Sequence, residues 1–493
     1  MPRLTADALR LAAGGGAAGP LRRFAYDRAA VTPGIVHLGI GAFHRAHMAV
    51  YVDAILARDP GWGIIGASLR RPDTRDALKP QDCLYTVVER DASGTACRVV
   101  GAILDVLDAT TQRRQLLDVM AEPRIRIVSL TVTEKGYCHD PSTGELDAHH
   151  PDIVHDLAHP DAPVSAPGLI VAALARRRAA GIPPFTVMSC DNLPANGRTT
   201  ARIVTRFAAL RDPALGRYVA EAVAFPSTMV DRIVPATTEA DRRLVAGLTG
   251  LDDAWPIVTE PFTQWVIEDR FPAGRPAFES VGALLVEDVE PFELMKLRML
   301  NGSHSTMAYL GYLGGCQYVA EAVADPRIRG LIYELMTEEV MPTLPMPRAD
   351  LEAYRDRLLA RFANPALQHR TWQIAMDGSQ KLPQRLLGTI RDRLAAGQGS
   401  ERLALGVAAW MRYVTGIDEA GAPIEVKDPL AARLRDIADA AGRDAAALAD
   451  GLLGVVEIFG TDLPADTAFR RAVVGQLDSL FRIGALATAA RLA

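Results

Sequence analysis

Gly34-Ile-Val-His-Leu-Gly39-Ile-Gly41-Ala-Phe-His-Arg45 is the stretch on which the fold turns. Its first half is a short apolar run closed by glycine at each end, and it predicts a buried strand over 34–39. The second half gives a tight glycine turn and leads into apolar-periodic sequence, which predicts a helix over 46–57. A glycine turn between strand and helix lets the backbone approach a phosphate, with helix N–H groups facing the anion. The dinucleotide fingerprint carries a third glycine; here His44 holds that spacing.

Further strands are predicted over 62–69, 124–133 and 185–190, and helices over 111–120 and 168–180. Strands alternating with helices imply a parallel sheet covered on both faces. Ligands of such sheets bind at the carboxyl edge of the strands. Gly39, Gly41 and Phe43 of the turn, with Thr131 and Glu134 after the 124–133 strand, are therefore candidate cofactor-binding residues. Asp73, past the second strand, is the candidate for the adenine ribose hydroxyls; Arg70 and Arg71 nearby would instead suit a 2′-phosphate. NAD is expected over NADP. Asn192, in Ser189-Cys-Asp-Asn192, ends the fourth strand at the same edge.

After about residue 288 the texture changes to helical spacing, over 293–313, 350–362, 400–415, 428–441, 443–459 and 466–492. Asp350, Asp428 and Asp466 stand at expected N-caps. The expectation is an α/β N-terminal Rossmann-type dinucleotide-binding domain, 1–288, and a mostly α-helical C-terminal domain, 289–493.

The 493 residues are 49% hydrophobic and 23% charged, which excludes a disordered or small disulfide-stapled chain. A net charge of −5 argues against a general nucleic-acid binder. No apolar run is long enough to span a membrane, and no signal peptide is read at the N-terminus. Five scattered cysteines without CxxC spacing read as reduced thiols of a cytoplasmic protein and give no zinc-ligand pattern. His44 and His47 have no Cys or carboxylate beside them, so no metal is expected there.

Lysine is scarce. Lys79, Lys135, Lys296, Lys381 and Lys427 are all there are among 54 basic residues. Arginine keeps its proton, whereas a desolvated lysine can lose it, so each lysine is a candidate for proton transfer. Lys296 lies in Met295-Lys-Leu-Arg-Met-Leu-Asn301-Gly-Ser-His304. At about 100° per residue Asn301 falls about 140° from Lys296, with His304 between them. Three polar groups on one side of an apolar helix are costly to bury unless they have partners or work.

KLRMLNGSH resembles the signature of the mannitol dehydrogenase family, and the resemblance covers nearly the whole chain. GIGAFHRAH (39–47), SLTVTEKGYC (129–138), FTVMSCDNLPANG (185–197) and MVDRIVP (229–235) are similar to its N-terminal blocks in order and spacing. HRTWQIAMDGSQKLPQRLL (369–387) looks most like its mannonate oxidoreductase (fructuronate reductase) branch. The resemblance implies NAD-dependent, metal-independent interconversion of D-fructuronate and D-mannonate. It implies Lys296 as general acid/base, Asn192 and Asn301 polarising the carbonyl, and His304 on a substrate hydroxyl. Asp231 and Lys381 are implied in substrate binding. Where the mannitol enzymes carry a substrate-binding arginine shortly before that lysine, this chain has Gln373 and, earlier, Arg370. Arg370, Lys381 and Arg385 are the candidate partners for a uronate carboxylate. The rival readings are a mannitol, arabinitol or sorbitol dehydrogenase and a catalytically silent NAD-binding sensor. A monomer or weak dimer is expected.

Overall fold

Side-chain alternation in the first strands sets the architecture of the computed structural model, which describes residues 1–14, 21–140 and 143–493. In β1 (Pro33–Leu38), Val36 and Leu38 enter one apolar cluster and Ile35 enters another. In β2 (Gly63–Ser68), Ile65 and Ala67 join the first cluster and Ile64 the second. A period of two with both faces buried is the signature of a sheet covered on each side. β3 (Ile103–Asp108), β4 (Ile127–Leu130) and β5 (Thr186–Ser189) complete it. The order is β3-β2-β1-β4-β5 and every pairing is parallel, with Val36 opposite Ile65 and Val128. This is the doubly wound, dinucleotide-binding arrangement.

The helices Arg113–Ala121, Ala166–Ala179 and Asn196–Arg211 pack in series on one face. Ser165 caps the second by accepting the Gly168 N–H. A smaller sheet pairs β6 (Thr228–Asp231) antiparallel with β7 (Gln264–Glu268), and β7 parallel with β8 (Leu284–Val286). The hairpin Tyr85–Asp91 with Gly94–Val100 belongs to a third sheet.

The chain divides into two compact units, Met1–Glu290 and Pro291–Ala493. The second is helical, and Ser303–Leu313 runs through its core against Glu401–Tyr413, which in turn packs on Thr467–Ile483. Among the described residues, no helix is long and apolar enough to cross a membrane.

Several expected elements differ. The strand expected over 124–133 is Ile127–Leu130, because Thr131 to Thr133 turn away to make the loop described below. The helix expected over 46–57 is two pieces, Ala42–Ala46 and Met48–Ile55, broken at His47. The helix expected over 466–492 stops at Ile483, where Gly484 takes φ +82°, and restarts as Ala485–Ala489. Asp466 is the expected N-cap, accepting the Phe469 N–H. Asp350 and Asp428 are not caps: Pro347 precedes the helix Arg348–Phe362 and Leu430 the helix Ala431–Ala441. Asp428 accepts instead from the Ser379 amide and hydroxyl.

Candidate active site

In the first unit the glycine turn follows β1 directly. Gly39 has φ +89°, and a Cβ there would lie 2.2 Å from the Thr131 carbonyl oxygen. Only glycine fits, because the turn both needs the left-handed region and touches the neighbouring strand. At Gly41 the reason differs. It is exposed, and a Cβ would meet nothing nearer than Gly39 O at 3.9 Å. The space above it is open at the start of Ala42–Ala46, so the turn presents bare backbone where a pyrophosphate would lie. The residues present thus fit a dinucleotide.

His44 fills the place of the third glycine by packing flat on His37, with ring centroids 3.4 Å apart. Thr131 donates its hydroxyl to Gly39 O at 2.7 Å, so His37 Nε2, 2.8 Å away, is the donor to Thr131 Oγ1. His37 Nδ1 then accepts from Ser129 Oγ at 2.8 Å. Burial pushes the His37 imidazole down to about 3, and pushes His44 well below its ordinary value with help from His37, Arg45 and His47. Both rings are neutral, and Thr131 therefore holds the turn rather than standing free for a ligand.

Asp73 is exposed at the start of the short helix Asp73–Leu78. Arg70 is paired with Asp152 at 2.6 Å, and Arg71 is exposed. Glu134 opens a 3₁₀ turn, Glu134–Tyr137, after Thr133 at φ +63°. Phe43 is half-buried and stacks on His47 at 5.0 Å.

Asp191 organises the carboxyl edge. Its carboxylate accepts the N–H groups of Val132 and Thr133 at 2.9 and 3.0 Å, and the Tyr137 hydroxyl at 2.8 Å. Burial raises this carboxyl's pKa despite those bonds. Asn192, the next residue, is exposed. Asn196 locks the same turn to β6, donating to Asp191 O and Thr228 O and accepting the Thr228 N–H. The sequence points to Asn192 but not to Asp191, whose partners lie in a loop distant in the chain. Asp231 is buried at the end of β6, opposite Gln264.

In the second unit, Lys296–Gly302 is a π-helical turn between the α-helices Glu290–Met295 and Ser303–Leu313. This corrects the angular expectation. With i→i+5 hydrogen bonding, residues five apart sit one turn above each other, so Lys296 and Asn301 share one face instead of lying about 140° apart. Both are half-buried, while Met295, Met299 and Leu300 enter the core.

His304, 6% exposed, packs against Phe362 and edge-on to His369, at 4.9 and 5.0 Å between centroids. Its Nε2 has no hydrogen-bond partner. Burial, then His369, Arg385, Arg361 and Lys381, push its pKa well below the ordinary value. Burial and Lys381 lower His369 to about 4. Lys381 Nζ donates to the carbonyls of Ile374 and Met376 at 3.2 and 2.5 Å. Arg385 Nη1 reaches Ser305 Oγ at 3.1 Å and the Asn301 carbonyl at 3.5 Å. Three cations thus act on one neutral imidazole. Arg370 stands apart, exposed, with its guanidinium 5.3 Å from the Tyr318 ring centroid; Gln373 is also exposed. Arg361 and His369 were not singled out from sequence. His369 opens the quoted 369–387 block, whereas Arg361 lies in the last turn of the helix Arg348–Phe362, among several arginines, and gives no signal.

The first unit matches the Mannitol dehydrogenase Rossmann domain over residues 33–280, and residues 288–481 match the Mannitol dehydrogenase C-terminal domain. The chain is 50% identical over 470 residues to an uncharacterized oxidoreductase of Escherichia coli (strain K12), covering 94% of this chain and 96% of that one. It is 49% identical over 473 residues to the D-mannonate oxidoreductase of the same strain, covering 94% and 97%. Among solved structures, the Pseudomonas fluorescens mannitol 2-dehydrogenase in ternary complex with NAD and D-mannitol superposes with a TM-score of 0.88 at 43% identity, covering 99% of each chain. Two domain matches that together span most of the sequence, with relatives near half identity along their full length, place this chain in the mannitol dehydrogenase family of oxidoreductases.

Proposed function

We propose that this chain is an NAD-dependent secondary-alcohol dehydrogenase that interconverts D-fructuronate and D-mannonate without a metal in the chemical step. The observation that carries the reading is the set of cations, Arg361, Lys381 and Arg385, acting on His304 close in sequence and fold to the Lys296/Asn301 turn. A uronate carries a carboxylate that needs a cation; a polyol needs only hydrogen bonds. Bound NAD supplies a hydride acceptor for the alcohol carbon.

The chain's own residues do the rest. Lys296 Nζ takes the hydroxyl proton during oxidation and returns it during reduction. A free lysine has a pKa of about 10.4, so it needs desolvation or neighbouring cations to act near neutrality. The Asn192 and Asn301 carboxamides donate to the oxygen as it gains negative charge, the role an oxyanion hole plays. Neutral His304, with Nε2 uncommitted, offers a lone pair or a proton to a sugar hydroxyl. Asp231 accepts a further hydroxyl, and Arg385 and Lys381 face the carboxylate. Gly39, Gly41, Phe43, Glu134 and Asp73 form the cofactor side, where Thr131 acts by holding the Gly39 turn. The proposed setting is cytoplasmic, as a monomer or weak dimer.

A second reading, mannitol or a related polyol as substrate, draws support from the likeness to the mannitol 2-dehydrogenase complex. NADH oxidation with D-fructuronate and with D-fructose separates the two. The proposal expects kcat/KM for fructuronate to exceed that for fructose by at least about 10²-fold, about 2.7 kcal/mol of discrimination. Arg385→Ala should raise KM for fructuronate while leaving any fructose turnover little changed. Preference for fructose by the native enzyme would replace the first reading with the second.

A further inference from the structure

Five of the ten histidines fall within residues 139–159, a stretch that the catalytic reading leaves unused. The sequence shows no CxxC spacing there, but the fold brings three ligand types together. Cys138, His150 and Asp152 each present one ligand atom, and the three atoms lie within 4.8 Å of one another.

We propose that Cys138, His150 and Asp152 form a binding site for a divalent ion of the zinc class, structural in role and distinct from the dehydrogenase chemistry. The donor set is one sulfur, one imidazole nitrogen and one carboxylate oxygen, which suits zinc or cobalt and does not suit calcium or magnesium. The Asp152 carboxylate gives one oxygen, Oδ2, to Arg70 at 2.6 Å and keeps the other. The one lone pair of the His150 ring, on Nδ1, accepts the Asp152 N–H at 3.2 Å as the helix cap, and a metal ligated there displaces that bond. A metal taking Nδ1 leaves the ring proton on Nε2. Cys138 is buried, and burial first, then the carboxylates of Asp152, Asp156 and Asp147 against the guanidinium of Arg70, push its thiol up to about 12, so the thiol keeps its proton until a metal displaces it. Binding releases the thiol proton to solvent and forms the sulfur–metal bond, and a water completes four-coordination.

The ligands come from both ends of a local excursion. Asp147 N–H bonds back to the Cys138 carbonyl at 2.9 Å, and His139 bridges Leu146. His150 caps the helix Pro151–Ala158 that carries Asp152. A metal would staple that helix to the end of the Glu134–Tyr137 turn.

The test uses the untagged full-length chain, stripped with chelator and titrated with Co²⁺. The proposal expects one equivalent bound with thiolate-to-cobalt charge-transfer absorption in the near ultraviolet, displaced by Zn²⁺, and a higher thermal midpoint in the loaded protein. Cys138→Ser should abolish that absorption and weaken binding by more than about 100-fold, beyond the effect usual for an outer-shell change. Asp152→Asn, which keeps the side-chain volume, should weaken binding with the fold intact by circular dichroism. Arg70→Ala should tighten it, because a competing cation is gone. Absence of the absorption in the native chain overturns the proposal, as does its persistence in Cys138→Ser. Unchanged affinity in Asp152→Asn would also overturn the three-ligand site.

Discussion

Gly39 and Gly41 look alike in sequence and answer to different constraints. At Gly39 the backbone itself excludes a side chain: φ is +89° and the Thr131 carbonyl stands where a Cβ would go. Gly39→Ala should lose at least about 1–2 kcal/mol from the left-handed conformation alone, with the clash added. A urea or thermal melt reads the loss. Gly41 has an ordinary φ of −88° and open space, so Gly41→Ala should change stability by less than about 0.5 kcal/mol while raising the NADH dissociation constant, followed by fluorescence titration. A stable Gly39→Ala protein with normal NADH affinity would contradict this division of labour. Both glycines were legible in the sequence, because strand, turn and helix signals agree there. Asp191 was not: whether a carboxylate at a strand end faces solvent or gathers two amides and a hydroxyl depends on a loop some 60 residues earlier in the chain, with contacts spanning 59 and 58 positions.

At the level of elements, the π turn is the feature that sequence periodicity could not supply. A window scored at 3.6 residues per turn assigns Lys296 and Asn301 to different faces, and only the wider hydrogen-bond ring aligns them. Deleting Leu297 should let the turn close as ordinary α-helix and carry Lys296 about 100° away from its place relative to Asn301. Turnover should then fall by 10²-fold or more, the scale of losing one oxyanion donor, while NADH still binds. Steady-state kinetics with parallel NADH titration checks it. The four strands expected over 34–39, 62–69, 124–133 and 185–190 are all present in the sheet, the first shifted by one residue and the other three shorter. β3 escaped notice because Asp105 and Asp108 interrupt its apolar pattern; in the fold Asp105 pairs with Lys79, and Asp108 accepts from Thr110 and Thr111. The expectations over 443–459 and 466–492 each run through a glycine, Gly454 and Gly484, that ends a helix.

Across the whole molecule, buried neutral imidazoles link stability to acidity. His37 takes up a proton near pH 6.5 when unfolded but not until about 3 when folded, and His369 not until about 4. A base held neutral in the native state stabilises fully above its unfolded pKa and loses that contribution as pH falls below it. Between pH 7 and 5 the His37 term alone amounts to about 2 kcal/mol. His37→Asn should therefore show a shallower loss of stability over that range than the native chain, measured by urea midpoints at the two pH values. Equal slopes would place the sensitivity elsewhere. The Asp191 latch has a consequence for the larger machine as well. One carboxylate clamps the Val132–Thr133 loop, and the adjoining residue is the carboxamide of Asn192. A displacement of the Val132–Thr133 loop is therefore passed through one carboxylate to the neighbouring carboxamide, and a substitution aimed at either is felt by both.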